Sequence, residues 1–201
     1  HIEDFVIFSE KLFCKSKNNT TGLIYFINYK TANNKSLPKD ILQYSKSRIS
    51  DHIDGKIIYF HRRNKINECI VLYGKDKYKT ISQSLGSYVS AKIDEGSWKI
   101  YGKINNRNIN AFFLGWGLEQ YKFNNFKVIK YLDATDNLNI RDIIDKLSGI
   151  FYGKELINIP SLDMGPEALE KSFINFADYH NAEINIIKGS TIKDKFPLIY
   201  A

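Results

Sequence analysis

The sequence predicts an α/β layered domain over roughly its first 135 residues, then a long connecting helix and a shorter α/β segment. Short β-branched and aromatic runs bounded by Asn, Lys and Gly read as buried strands. Stretches with apolar residues at helical spacing lie between them. The charge also changes sign: residues 1–130 carry 22 Lys and Arg against 11 acids, a net of +11, and residues 131–201 carry 7 against 11, a net of −4. That shift places a boundary near residue 130.

In chain order, strands are expected at 5–8 (FVIF), 22–29 (GLIYFINY), 56–60 (KIIYF) and 68–73 (ECIVLY). Residues 36–49 read as a helix with Leu37, Ile41, Tyr44 and Ile49 as apolar positions and Pro38 suited to its first turn. Ile81, Leu85, Tyr88, Val89 and Ile93 share one face of a second helix. A strand follows at 98–101, a largely buried helix at 109–121, and a strand at 126–133. Asn139 suits an N-cap, with Asp142 three residues on. Ile140, Ile143, Ile144, Leu147, Phe151, Leu156 and Ile157 then carry one helix to about Asn158, where Ile159-Pro160 stops it. A helix opening at Gly165-Pro166 runs to Tyr179, and strands are expected at 183–187 and 198–201. Some forty residues of this kind cannot enclose a core, so the second domain is expected to be incomplete.

Composition excludes whole classes. With 201 residues, 43% hydrophobic and 25% charged, the chain is neither disordered nor fibrous. No apolar run approaches the ~18–20 residues of a membrane span. The opening HIEDFVIFSEK has acids where a signal peptide carries bases. Membrane and secreted classes are therefore set aside and a cytoplasmic location is expected. Cys14 and Cys69 are too few for a disulfide scaffold and read as buried or idle thiols. The sequons at Asn18, Asn19 and Asn34 are expected by chance among 19 Asn. The 24 Lys against 5 Arg look like coding bias, and scattered Lys neither reads bases nor clamps phosphates bidentately. The tight cluster His61-Arg62-Arg63 reads as a solvated strand exit.

Chemistry is sparse. Metalloprotease, zinc-ribbon, nucleophile-elbow and phosphate-loop motifs are all absent. Asp51-His52-Ile53-Asp54-Gly55 has metal-binding residue types, but metal sites draw ligands from several elements, and this is read as a polar helix-to-strand turn. His180 reads as a cation at a helix C-terminus. Tyr73-Gly74-Lys75 follows a strand and precedes a helix, where a phosphate can sit, yet lacks further glycines.

Three segments together resemble the leucyl (cytosol) aminopeptidase family in its bacterial form. Gly115-Trp116-Gly117-Leu118-Glu119-Gln120-Tyr121-Lys122-Phe123, with Phe126-Lys127 after it, is similar to a family helix near the end of the N-terminal domain. Leu156 to Glu167 (LINIPSLDMGPE) resembles the entry into the peptidase domain, and Phe196 to Ala201 (FPLIYA) resembles a strand leading towards that domain's first glycine turn. The resemblance is sharp over about 115–201 and architectural before that.

It implies a three-layer, macro-like α/β domain with a mixed sheet at 1–135, a linker helix at 136–159, and the beginning of a metallopeptidase domain at 160–201. It implies a parent exopeptidase releasing N-terminal amino acids from peptides with two divalent ions, zinc or manganese, and assembling as a homo-hexamer. The family's Lys, Asp and Glu ligands match no position here, so no catalytic, cofactor-binding or metal residue is assigned to this chain. The chain itself is expected to be inactive, monomeric or weakly associated, and to serve assembly and active-site access. A macro-like fold suggests nucleotide binding, but no glycine-rich phosphate loop occurs, and Gly115-Trp116-Gly117 reads as helix packing. The alternative is a free-standing α/β module whose basic half binds nucleic acid or an acidic partner.

Overall fold

The computed structural model describes residues 2–13, 22–29, 37–48, 55–61, 67–75, 77–102, 104–134 and 138–200. Its elements are α1 (Ile2–Leu12), β1 (Gly22–Asn28), α2 (Lys39–Arg48), β2 (Ile57–His61), β3 (Asn67–Tyr73), α3 (Gln83–Lys92), β4 (Gly96–Ile100), α4 (Asn106–Glu119), β5 (Lys130–Leu132), α5 (Ile140–Asn158), α6 (Pro166–Tyr179), α7 (Ser190–Lys195) and α8 (Pro197–Tyr200).

The five strands form one mixed sheet in the order β2-β3-β1-β4-β5. β1 is central and parallel to both neighbours, with Gly22 opposite Asn67 on one side and Trp98 on the other. β5 extends the parallel part beside β4, and β2 closes the far edge antiparallel to β3. A sheet covered on both faces reads as continuous apolar runs, which is what GLIYFIN and ECIVLY are. Ile24, Phe26, Cys69, Val71, Trp98, Ile100 and Leu132 enter the larger core with α1, α3, α4 and α5. Tyr25, Ile27, Ile58, Ile70 and Leu72 face the other way and pack on Leu37 and Ile41 at α2. The result is the expected three-layer α/β fold with a mixed sheet.

α3 and α4 cross at close quarters. A Cβ on Gly115 would lie 1.9 Å from the Gln83 carbonyl oxygen, and one on Gly86 would lie 2.1 Å from that of Phe112. The two helices touch backbone to backbone because neither glycine carries a side chain. Ser87 and Ser90 fix the register by donating to the carbonyls of Gly115 (2.9 Å) and Trp116 (3.1 Å). The glycines flanking Trp116 are packing residues, as the sequence reads.

The long helix has its expected cap: Asn139 Oδ1 accepts from the Asp142 N–H at 3.4 Å. Ile143, Ile144, Leu147 and Phe151 are buried against α1 and α4, which joins α5 to the core of the sheet domain. Its far end is pinned by Tyr121, whose hydroxyl donates to Glu155 (2.8 Å) and accepts from Asn158 Nδ2 (3.1 Å).

Four expectations are corrected. The run 5–8 is helical: Ile2, Phe5, Phe8 and Leu12 are buried at helical spacing, Glu3 and Asp4 favour the first turn, and Ile7 faces out. A four-residue window hides that period. The strand expected at 126–133 is only β5, because Phe126 leaves the sheet to set its ring edge-on to Phe5 and Phe8. Residues 183–187 form no strand; Ile184 and Ile186 lie instead on α6, beside Leu169 and Phe173. Residues 197–200 form the helical turn α8, opened by Pro197, with Leu198 and Ile199 exposed. From Pro160 to Ile199, Ala177 is the sole buried residue.

Candidate functional site

The described positions flagged by sequence, Cys69, Tyr73-Gly74-Lys75 and His180, lie in separate parts of the fold. Asp51, His52 and Asp54 lie outside the described residues, as do Cys14, Arg62, Arg63 and the three sequons. Gly55, the first described residue after them, has φ +76° and donates its N–H to the Leu72 carbonyl at 2.8 Å as the chain enters β2. Among the described residues no three His, Cys, Asp or Glu side chains lie together as a metal would need. His180 caps the C-terminus of α6, its ring against Phe176 at 4.5 Å and Tyr179 at 5.0 Å between centroids. Cys69 is fully buried in the larger core, and burial pushes its thiol far above the ordinary range.

Tyr73-Gly74-Lys75 sits at the carboxyl end of β3, where open α/β sheets take ligands. Here the loop is closed on itself. Gly74, at φ +111°, donates its N–H to the Tyr78 carbonyl at 2.7 Å, and a Cβ on it would meet Asn28 Oδ1 at 2.4 Å. Lys75 Nζ lies 5.7 Å over the Tyr29 ring. The next helix, α3, has its first turn capped by Ser82 Oγ, which accepts from the Leu85 N–H. The Gly74 and Leu85 amides, two that a phosphate could use, are thus committed.

The best-formed polar cavity lies elsewhere, where the last turn of α3, the end of α4, the 122–129 loop and the start of β5 meet. It has a volume of about 430 Å³ and is lined by Ser90, Glu95, Glu119, Gln120, Lys122, Asn125, Lys127 and Lys130. Its floor is a hydrogen-bonded chain. Ser90 Oγ gives its proton to the Trp116 carbonyl, so it must accept from Gln120, whose Nε2 lies 2.5 Å away. The buried Gln120 amide is therefore oriented with its oxygen uncommitted to any described residue. Lys130 Nζ donates to the Ser90 carbonyl at 2.6 Å, satisfying the C-terminal end of α3. Burial pulls the Lys130 ammonium down from its ordinary value, and nearby Glu95, Asp94 and Glu119 partly restore it. The loop turns at Asn124, φ +52°, and Asn125 Oδ1 accepts from the Lys127 N–H. Sequence reasoning did not single out this group: its members come from four elements, and only the spacing of Glu119, Gln120 and Lys122 is local.

The fold built in this way is the α/β architecture found in aminopeptidases. The sequence matches no protein-family model and no curated protein. Among solved structures the chain is similar to cytosol aminopeptidase from Coxiella burnetii, with a TM-score of 0.73 at 18% identity, covering 94% of this chain and 42% of that one. It is also similar to the bottromycin maturation enzyme BotP, solved with Mn (TM-score 0.62, 10% identity, 88% of this chain and 40% of that one). A second BotP structure gives 0.61 at 10% identity over 88% and 41%. The fold likeness is the one that the resemblance at residues 115–201 leads one to expect. The chain spans about two fifths of the length of these structures.

Proposed function

We propose that this chain is the amino-terminal part of a cytoplasmic, metal-dependent aminopeptidase of the leucyl (cytosol) type, which removes N-terminal residues from peptides. The observation that carries the reading is the fold likeness to cytosol aminopeptidase across 94% of this chain. The manganese in BotP is in keeping with a metal-dependent parent. No helix among the described residues is long and apolar enough to cross a membrane.

The domain scheme follows: a macro-like domain at 1–135, a connecting helix at 136–159 and the beginning of the peptidase domain at 160–201. The side chains exposed after α5 support it. Leu162, Leu198 and Ile199 are 96%, 95% and 75% exposed, an apolar surface that further chain would cover.

The described residues do not fit a metal pair. Asp142 is paired with Lys146 (2.6 Å) and Asp145 with Arg141 (3.1 Å) on α5, Glu170 is paired with Lys188 (2.7 Å), and among the described residues no three His, Cys, Asp or Glu side chains lie together. In this reading the two divalent ions and the chemistry belong to the peptidase domain. The present part contributes to hexamer assembly and to access, and by itself is inactive and monomeric or weakly associated.

The test compares the 201-residue chain with the same chain extended by its downstream coding sequence, each given Mn²⁺ or Zn²⁺ and a chromogenic leucine amide. Metal-dependent turnover is expected from the longer protein alone. Turnover by the 201-residue chain that persists through further purification would overturn the placement of the active site. A downstream stop codon would overturn the parent enzyme and favour the binding-module reading.

A further inference from the structure

We propose that the groove between α1 and Phe126 docks a second copy of this chain: two α1 helices pair antiparallel across a two-fold axis and form a weak homodimer. The inference concerns this domain alone and does not depend on the peptidase reading.

The groove has a volume of about 350 Å³ and is lined by Asp4, Ile7, Phe8, Lys11 and Phe126. The four α1 residues stand at i, i+3, i+4 and i+7, a single stripe along the helix. Its middle is apolar and open to solvent. Ile7 is 49% exposed, and Phe126, set against Phe5 and Phe8, is 42% exposed. A lone exposed Ile is ordinary, but this one adjoins an exposed ring whose position two core rings fix. The ends of the stripe are charged, with Asp4 in the first turn and Lys11 in the last, both exposed.

That order selects the occupant. A covering helix must offer a base, an apolar centre and an acid in the reverse order, and the same stripe turned end for end does so. With the axis passing between Ile7 and Phe8, each Asp4 faces the other copy's Lys11, so one favourable contact is made twice. The two charges lie about 10 Å apart along the helix and equidistant from that point. Glu3 and Glu10, which would repel their counterparts, line no part of the groove. At ~100° per residue they stand roughly 80–120° round the helix from Asp4 and Lys11. One helix face and one ring bury less than the ~1,200 Å² of a stable complex, so the dimer is weak, with a dissociation constant of ~0.1–1 mM.

Sedimentation equilibrium and an NMR dilution series of the 201-residue chain test this. A monomer–dimer equilibrium is expected, with concentration-dependent amide shifts at Asp4, Ile7, Lys11 and Phe126. Asp4→Lys and Lys11→Glu should each weaken the dimer at least five-fold, because each sets like charges against each other at both ends of the pair. Mixed in equal amounts, the two variants should associate within about two-fold of the parent, since every charge again meets its opposite in the mixed pair. Ile7→Ser, which leaves all charges in place, should weaken the dimer at least three-fold. All three side chains are exposed, and circular dichroism verifies that the fold is kept. A helix lost to substitution would not return on mixing, so the mixture separates pairing from damage. A chain still monomeric at about one millimolar, shifts confined to residues 157–199, unchanged association in both charge variants, or a mixture no tighter than either variant alone would each overturn the proposal.

Discussion

Replacing Gly115 by Ala examines the contact on which the larger core depends. In an open helix the change should stabilise, since Ala is favoured over Gly by about 1 kcal/mol. At Gly115 the new methyl would lie 1.9 Å from the Gln83 carbonyl oxygen and 2.9 Å from the Ser87 nitrogen. Both obstacles are backbone, so no rotamer change relieves them. Reaching even 3.0 Å requires α3 and α4 to part by about 1.1 Å. Overpacking of a closed interface costs ~1–3 kcal/mol, and with backbone on both sides the upper end applies. Subtracting the helix gain leaves a net loss of about 2 kcal/mol, equivalent to a fall in Tm of ~4–8 °C for a chain of this size. Parting the helices also stretches the serine bonds to Gly115 and Trp116, which pushes in the same direction. Gly149→Ala is the internal control: it lies within α5 with nothing within 4 Å of the place its Cβ would take, and should raise stability by up to ~1 kcal/mol. Urea unfolding followed by Trp fluorescence and by circular dichroism measures both. A Gly115→Ala variant as stable as the parent, or a shift of the same sign for the two variants, would refute the close-packing argument.

Three further outcomes are expected. Asn139→Ala removes the side-chain cap of α5 and should cost ~1 kcal/mol in the same urea assay, with Asn139→Asp recovering most of it. Burial and the nearby Asp94 raise the Tyr59 hydroxyl from 10.0 to about 12, so Tyr59 should ionise late in an ultraviolet titration, and Tyr59→Phe should shrink the late component by one tyrosine while Tyr121, which burial also raises, stays in it. Because the folded value lies above the unfolded one, the stabilisation from Tyr59 is complete below pH 10 and is lost as pH rises towards 12. In a Cys14→Ser background, Cys69 should resist Ellman's reagent in the native state and react fully in urea, since it is buried and its thiolate is disfavoured.

Local periodicity determined most of the architecture. β1, β2 and β3 lie where continuous apolar runs place them, because a sheet covered on both faces needs no alternation. α5 begins at the cap that Asn139 announces and ends before Pro160, since capping and proline chemistry act within a few residues. Gly115 and Gly117 were legible as packing glycines beside a core Trp, although only the folded structure shows that Gly115 approaches the backbone of α3 and Gly117 the Leu147 side chain of α5. The failures have one cause. FVIF and the run at 126–133 have strand composition, but the partners that decide their state lie far along the chain: α5 beneath α1, and Phe5 and Phe8 beneath Phe126. Residues 183–187 alternate like a strand, yet a strand exists only as half of a ladder, and no described neighbour supplies the other half. The polar cavity was beyond sequence altogether, because Ser90, Glu95, Glu119 and Lys130 become neighbours only when two helices and a strand converge. Periodicity along the chain is local and can be read there; the charge arrangement of a cleft is a property of distances between elements, which tertiary packing alone sets.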